Sequence, residues 1–494
     1  MGAAAPDLVP DLPLRIHLLG AGGAGISGAA RLLLARGHAL SGHDREPSAF
    51  TPGLSELGVA LQVGRSRADG LPPDAEAVVR SAAIPAEDPQ VLRALERGLP
   101  VLKYGELVPL LAPPGTTLAV AGTHGKTTTA WLLYHALRGV AKACSAPGDF
   151  APAPGALVGG EHRELRTNAV APGPPSASGS PPGWFAVEAC EYDRSFLRLQ
   201  PRGAAITNVE PDHLDYYGSY EALEAAFARF ADRVHPQGLV VVGSGVPDVV
   251  EENARAPVWR LGRELRVDLL AEERGRFAFR LRAPGWATPP LALRVPGAFN
   301  VDNAALGLAL AVGVAAREAG AVASEAAALG AVEVGGFPGV ARRFEPWGSV
   351  GSIELVHDYA HHPTEVAATL EAARRAFPGL PLHVLFQPHQ YSRTARFLAE
   401  FVESLRGADR VVVADVYGAR AAIDDRSADA GAIVARLRRA GVEAAVGGRA
   451  PEAARLFADA LPREAAALIL GAGDVDRVRD DLLAAVAVRG ALPR

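Results

Sequence analysis

The residues best suited to do chemistry stand at Gly122-Thr123-His124-Gly125-Lys126-Thr127-Thr128. Glycines let backbone N–H groups converge on an anion, a lysine just inside a following helix reaches β and γ phosphates, and the next hydroxyl can ligate Mg²⁺. That is the chemistry of an ATP phosphate site. The strict pattern G-x-x-x-x-G-K-[ST] fails at one place, because Val120 stands where its first glycine belongs. An earlier run matches G-x-G-x-x-G at Gly20, Gly22 and Gly25, with Asp44 ending the next strand about 20 residues on. By spacing this loop suits any nucleotide diphosphate, NAD included, and a carboxylate there can accept from ribose hydroxyls.

Two acidic stretches follow, Glu188 to Asp193 and Thr207 to Asp215, both at expected strand ends. A phosphoryl-transfer site needs oxygen ligands for Mg²⁺ at the carboxyl edge of a parallel sheet, which draws attention to Glu188 and His213. Four later motifs are rich in polar groups that are costly to bury: Phe299 to Asn303, Ala341 to Phe344, His357 to Pro363 and Phe386 to Thr394. Their histidines do not form a closed zinc pattern.

The elements that must hold these residues read as alternating strands and helices. A strand from Leu14 to Leu19 enters the first glycine loop and a helix through Ala35, and short apolar runs recur at 77–79 and 100–102. A second strand, Thr117 to Ala121, enters the second loop and a helix through Leu137. Further strands are expected at 353–356, 382–386, 410–414 and 467–470. The expected fold is α/β, with three tandem domains of mostly parallel sheet: Rossmann-like over 1–113, a P-loop ATPase domain over 114–335 and a second Rossmann-like domain over 336–494.

With 494 residues, a chain exceeds the size at which one core keeps growing, so several domains are required. Hydrophobic residues make up 49% and charged residues 21%, a globular balance. The net charge of −5 comes without a dense Lys/Arg patch, so small-molecule substrates are expected and nucleic acid is not. Two cysteines, Cys144 and Cys190, make no disulfide framework, which fits a reducing cytoplasm. The start of the chain lacks the basic and apolar regions of a signal peptide. The most apolar helical stretch, Ala304 to Ala316, is too short to span a bilayer and reads as a buried helix. The Pro/Ser-rich stretch at 171–182 cannot bury enough apolar area to order itself.

In order and identity these motifs resemble the Mur ligase family, from Ile16 to about Val478. The resemblance is carried by Gly-Ala-Gly-Gly-Ala-Gly at 20–25, Gly-Thr-His-Gly-Lys-Thr-Thr-Thr at 122–129, Glu-Ala-Cys-Glu-Tyr-Asp-Arg-Ser-Phe at 188–196 and Thr-Asn-Val-Glu-Pro-Asp-His-Leu-Asp at 207–215. Arg-Arg-Phe at 342–344, His-Asp-Tyr-Ala-His-His-Pro-Thr-Glu-Val at 357–366 and Phe-Gln-Pro-His-Gln-Tyr-Ser-Arg-Thr at 386–394 complete it. Seven motifs in one order are specific.

The resemblance implies an N-terminal UDP-sugar domain, a central ATPase domain and a C-terminal domain that closes over both. It implies amide-bond formation driven by ATP, with Mg²⁺ as cofactor and UDP-N-acetylmuramate and L-alanine as substrates. Gly20, Gly22, Gly23, Gly25 and Asp44 would then serve the UDP-sugar. Gly122, Thr123, His124, Gly125, Lys126, Thr127, Thr128, Asn300, Asn303, Arg342 and Asp358 would serve ATP. The resemblance assigns Thr127, Glu188 and His213 to magnesium, Tyr359, His389 and Arg393 to the amino acid, and catalysis to Lys126, His213 and Arg342. It implies a cytoplasmic monomer or homodimer that neither enters the membrane nor binds nucleic acid. Three departures stand out: the length of 139–154, the insertion at 171–182, and Gln390 where some members carry Arg. Asp474 and Asp476 lie in a variable motif and receive no role. The alternatives are a relative that joins a ready-made tripeptide to the same sugar, an NAD-linked oxidoreductase and a silent nucleotide-binding regulator.

Overall fold

A computed structural model of the chain describes residues 14–113, 115–144, 152–174, 183–318, 322–418 and 428–491. Of the expected strands, those over 117–121 and 382–386 are buried along their whole length, as parallel strands covered on both faces require. The first sheet contains β1 (Arg15–Leu19), β2 (Ala39–Asp44), β3 (Ala60–Val63), β4 (Ala77–Arg80) and β5 (Val101–Lys103), in the order β3-β2-β1-β4-β5. Its strand order reverses beside β1, where the first glycine loop emerges, the place at which open α/β sheets bind ligands.

The second sheet contains β6 (Thr117–Ala121), β7 (Gly155–His162), β8 (Thr167–Val170), β9 (Phe185–Glu188), β10 (Gly203–Ile206), β11 (Leu239–Val242) and β12 (Val258–Arg260), ordered β12-β11-β10-β6-β9-β7-β8. A small antiparallel sheet follows, of β13 (Arg266–Glu273), β14 (Arg276–Ala283), β15 (Trp286–Ala287) and β16 (Leu291–Ala292). No continuous apolar run spans its strand β14. Its signal is alternation: Phe277, Phe279 and Leu281 are buried and alternate with the more exposed Arg276, Ala278, Arg280 and Arg282. The last sheet has β17 (Glu345–Val350), β18 (Ser352–Asp358), β19 (Leu382–Phe386), β20 (Arg410–Ala414), β21 (Glu443–Gly448) and β22 (Glu464–Leu470), ordered β17-β18-β22-β19-β20-β21. Only the edge strand β17 runs antiparallel to its neighbour.

By compactness the chain divides in two. The first unit lies within Met1–Asp268, Phe279–Leu291 and Asp302–Phe337, and so holds both the first and second sheets. The second takes Leu269–Ala278, Ala292–Val301 and Pro338–Arg494. The first unit ends at Phe337 and the second resumes at Pro338, and the first two sheets lie together in the first unit. Of the Pro/Ser-rich stretch expected as a loop, 175–182 lie outside the described residues.

Two helices depart from the expected bounds. Helix Lys126–Cys144 runs two turns past Leu137, because its far end packs on helix Ala323–Gly335. The approach is close: a Cβ added at Gly139 would lie 2.4 Å from the Gly330 nitrogen. Helix Phe299–Glu318 is longer than the 304–316 run, since its first turn recruits the polar Asn300, Asp302 and Asn303. Its 19-residue segment Phe299–Arg317 has a mean hydropathy of 1.5, enough to cross a membrane by length and composition, but 83% of its apolar window is buried inside the protein.

A buried histidine pair ties helix Lys126–Cys144 to its neighbours. His162 Nδ1 accepts the amides of Glu164 and Leu165 at 3.3 and 3.1 Å, so its proton sits on Nε2. That proton is donated to His135 Nε2 at 2.9 Å, and His135 Nδ1 in turn donates to the Glu333 carbonyl at 3.0 Å. Both rings are buried, which lowers each pKa to about 4. The unfolded chain takes up these protons from about pH 6.5 downward, the folded chain only near pH 4. Their contribution to stability is therefore complete above pH 6.5 and drains as the pH falls toward 4, by up to ~1.4 kcal/mol per unit for each ring. Thermal melts across this window should fall less steeply for the double variant His135→Gln/His162→Gln than for the native chain. Equal slopes would show that the pair does not stay neutral.

Candidate functional site

Three neighbouring parallel strands deliver the candidate nucleotide site. In the order β10-β6-β9, their carboxyl ends carry Thr207 to His213, Gly122 to Gly125 and Glu188 to Glu191. Two glycines are required. At Gly122, φ is +135° and a Cβ would meet Thr207 Oγ1 at 2.0 Å; at Gly125, φ is +80° and a Cβ would meet Asn303 Oδ1 at 2.7 Å. The adjacent strand end braces the loop. Asn208 accepts the His124 amide on its side chain at 2.8 Å and the Thr123 amide on its carbonyl at 3.0 Å, while Thr207 Oγ1 donates to the His124 carbonyl at 2.5 Å. Thr123 Oγ1 accepts the Glu210 amide at 2.8 Å, and His124 Nε2 lies 3.6 Å from a Glu210 oxygen.

Lys126 opens the 19-residue helix, whose free N-terminal amides and dipole favour an anion. Its Nζ donates to the carbonyls of Gly122 at 2.5 Å and Thr123 at 2.9 Å, and to Glu191 at 3.0 Å. Burial pulls the ammonium down, but Glu191 and its acidic neighbours outweigh this and hold the pKa above the ordinary lysine value. Thr127 Oγ1 donates to Glu188 Oε1 at 3.1 Å, and Glu188 Oε2 accepts the Gly159 amide at 2.7 Å. Thr128 follows in the first helical turn. Asn303 reaches the same region, its Oδ1 accepting from Thr129 at 3.0 Å, whereas Asn300 donates to the Pro296 carbonyl at 2.6 Å.

Sequence reasoning missed Glu191. It stands inside a quoted motif, yet its side chain is only 3% exposed and lies between Lys126 and His213, whose Nε2 is 3.7 Å away. The available signal was charge balance, since a lysine buried at a loop needs a carboxylate partner. His213 also faces Asp212 at 3.7 Å and Tyr192, with ring centroids 5.3 Å apart. Six of the eight non-glycine residues with positive φ among the described residues belong to the quoted motifs: Asp193, Arg194, His213, Arg342, Phe344 and Gln390. Such conformations cost about 1–3 kcal/mol each and collect at functional sites.

The first glycine loop lies in the same unit. Gly20 has φ +75°, Gly23 donates to the Gly20 carbonyl at 3.0 Å, and Gly25 packs against the Tyr104 ring. Asp44 stands at the end of β2 as expected. Its oxygens, expected to meet ribose, accept the amides of Gly22 at 2.8 Å and Arg45 at 2.7 Å, so the carboxylate shapes the loop. Four lone-pair positions leave it capacity for a further donor.

In the second unit the carboxyl ends of β18, β22 and β19 gather the remaining residues. Asp358 accepts the amides of Phe344 at 2.7 Å and Ala360 at 2.8 Å, and burial raises its pKa to about 6. Here it clamps the Arg342–Phe344 turn. The Arg342 guanidinium lies 4.5 Å over the Tyr359 ring and pairs with Asp476 at 3.3 Å. Asp474 accepts from Gln387 at 2.6 Å. Both aspartates left without a role thus hold motif residues. Tyr359, His361, His389 and Arg393 form one cluster: rings 5.3 Å apart for Tyr359–His361 and 5.7 Å for His361–His389, and 3.3 Å from His389 Nδ1 to Arg393. Tyr417, which the sequence did not single out, stacks on His389 at 5.8 Å.

Three family models match in succession: "Mur ligase family, catalytic domain" over residues 15–113, "Mur ligase middle domain" over 120–311 and "Mur ligase, glutamate ligase domain" over 342–473. The UDP-N-acetylmuramate–L-alanine ligase of Rubrobacter xylanophilus is 37% identical over 489 residues, covering 95% of this chain and 100% of that protein. The solved UDP-N-acetylmuramate-alanine ligase of Thermotoga maritima matches with a TM-score of 0.75 at 24% identity, covering 95% of this chain and 98% of that one. A murein peptide ligase of Psychrobacter arcticus matches with a TM-score of 0.69 at 21% identity, covering 97% and 100%. These two structures bear on the fold alone.

Proposed function

The chain belongs to the Mur ligase family, and from that premise we propose that it joins L-alanine to UDP-N-acetylmuramate at the expense of ATP, a step in building peptidoglycan precursors. The observation that carries this reading is the Lys126–Glu191–His213 array, built on the buried Glu191 carboxylate, beside the Thr127–Glu188 pair, in one unit with a diphosphate-type loop. An NAD-linked oxidoreductase built on the first loop has no use for that array, and a silent regulator has no use for its strained geometry.

A carboxylate is a poor acyl donor, so the γ-phosphoryl group passes from ATP to the sugar's carboxylate oxygen and ADP leaves. The L-alanine nitrogen then attacks the acyl carbon, the C–N bond forms, the C–O bond to phosphate breaks, and the amine gives up a proton. Catalysis rests on in-line positioning and on charge stabilisation by Lys126, the loop amides and Arg342. Gly20, Gly22, Gly23 and Gly25, with Asp44, serve the UDP-sugar. Asn300, Asn303 and Asp358 serve ATP by motif match, and Tyr359, His389 and Arg393 serve L-alanine.

A hydroxyl and a carboxylate 3.1 Å apart at the loop are the hard oxygen donors that magnesium prefers, so Thr127 and Glu188 fit it. His213 fits less directly: its imidazole is a softer donor and turns toward Glu191 and Asp212. Magnesium, when bound, neutralises charge on the β and γ phosphates. We place the enzyme in the cytoplasm, where ATP and nucleotide sugars are made.

ATP-dependent phosphate release with UDP-N-acetylmuramate and a panel of acceptors tests the reading. Turnover with L-alanine is expected to exceed that with a murein tripeptide. A preference for the tripeptide would make the chain the recycling ligase instead, and no release with either would overturn the assignment.

A further inference from the structure

Tyr104 opens the helix Tyr104–Leu111 directly after β5 and is absent from every motif that the function absorbed. The hydroxyl-bearing end of its ring rests on the first glycine loop: a Cβ at Gly25 would meet Tyr104 Cζ at 2.8 Å and Cε1 at 2.9 Å. The residues on either side dock on the acidic strand end of the nucleotide site. Lys103 pairs with Asp193 at 3.5 Å, and a Cβ at Gly105 would meet Ser195 Cβ at 2.6 Å. The segment 103–105 therefore spans the two loops that the sugar nucleotide must also span.

A phenol is protonated at neutral pH, so the hydroxyl is a donor there. None of the described residues hydrogen-bonds this hydroxyl. A partly buried donor between two ligand loops, without a protein acceptor, is one that a ligand can satisfy. Of the two substrates taken up at these loops, the sugar nucleotide has to run past it. Its diphosphate is held at Gly20 to Gly25, and its carboxylate has to reach the phosphoryl group beside Lys126 and Thr127.

We propose that the Tyr104 hydroxyl hydrogen-bonds the sugar nucleotide between its diphosphate and its carboxylate, as a further substrate-binding residue that sets where the carboxylate lies. The proposal rests on the function given above. Tyr104→Phe removes the donor and keeps the ring against Gly25, so the melting temperature should not move. The KM for UDP-N-acetylmuramate should rise about tenfold, the ratio equivalent to ~1.4 kcal/mol for one lost hydrogen bond, with the KM for ATP and for L-alanine unchanged. An unchanged KM for the sugar nucleotide would overturn the proposal. So would a lower kcat at constant KM, which would mean that the residue acts only through Glu188. If the native enzyme itself fails to turn over UDP-N-acetylmuramate, the functional reading falls and takes this proposal with it. Normal native kinetics beside an unaltered Tyr104→Phe enzyme overturns the proposal alone.

Discussion

Lys126→Ala should abolish amide formation, lowering kcat by about 10³-fold or more, the upper range for removing one group that stabilises charge on a transferring centre. The side chain cannot be replaced by solvent, because it is 13% exposed and seated among two loop carbonyls and Glu191. The same change carries a second cost. Glu191, with a side chain 3% exposed, loses its cation and keeps, among the described residues, the His213 imidazole at 3.7 Å. Leaving a buried carboxylate unpaired typically costs about 3–5 kcal/mol, so the variant should also melt earlier. A Lys126→Met/Glu191→Gln pair separates the effects: it should regain much of the melting temperature while staying inactive. Phosphate release with UDP-N-acetylmuramate and L-alanine measures the first, and calorimetry the second. A Lys126→Ala enzyme with near-native turnover would overturn the assignment of the loop.

Glu188→Gln should be the next most damaging change, with phosphate release down by about 10²–10³-fold. Shape is conserved and Thr127 retains a hydrogen-bond acceptor, but the site loses the negative charge that a divalent cation requires. The half-saturating Mg²⁺ concentration should rise together with the fall in rate, and a Mg²⁺ titration of phosphate release at saturating ATP reads both. An unaltered Mg²⁺ dependence would remove Glu188 from the metal site. Because Glu188 also accepts the Gly159 amide, a companion melt checks that β7 remains docked.

Much of this site was legible in the linear sequence, for reasons that are local. A glycine forced to positive φ, as at Gly122 and Gly125, leaves its mark in residue type, and a lysine at the first helical position follows directly. Strands β6, β10, β19 and β20 announced themselves as apolar runs, since strands buried on both faces have no polar side to show. The antiparallel strands did not, because their alternation is a weaker pattern than a continuous run.

What the sequence determined by itself was the family, the α/β class and the residue types held at each loop. Only the tertiary structure decided who partners whom. Glu191 meets Lys126 because β9 lies beside β6, Asp476 meets Arg342 because β22 lies beside β18, and Tyr104 meets Gly25 across the first sheet. These partners lie 65 or more residues apart, and strand order, which places them side by side, is a property of the whole sheet that no local window of residues carries. The same cause gives Asp44 and Asp358 backbone amides as partners within the chain: spacing brings a carboxylate to the loop, but packing selects the amides it accepts from.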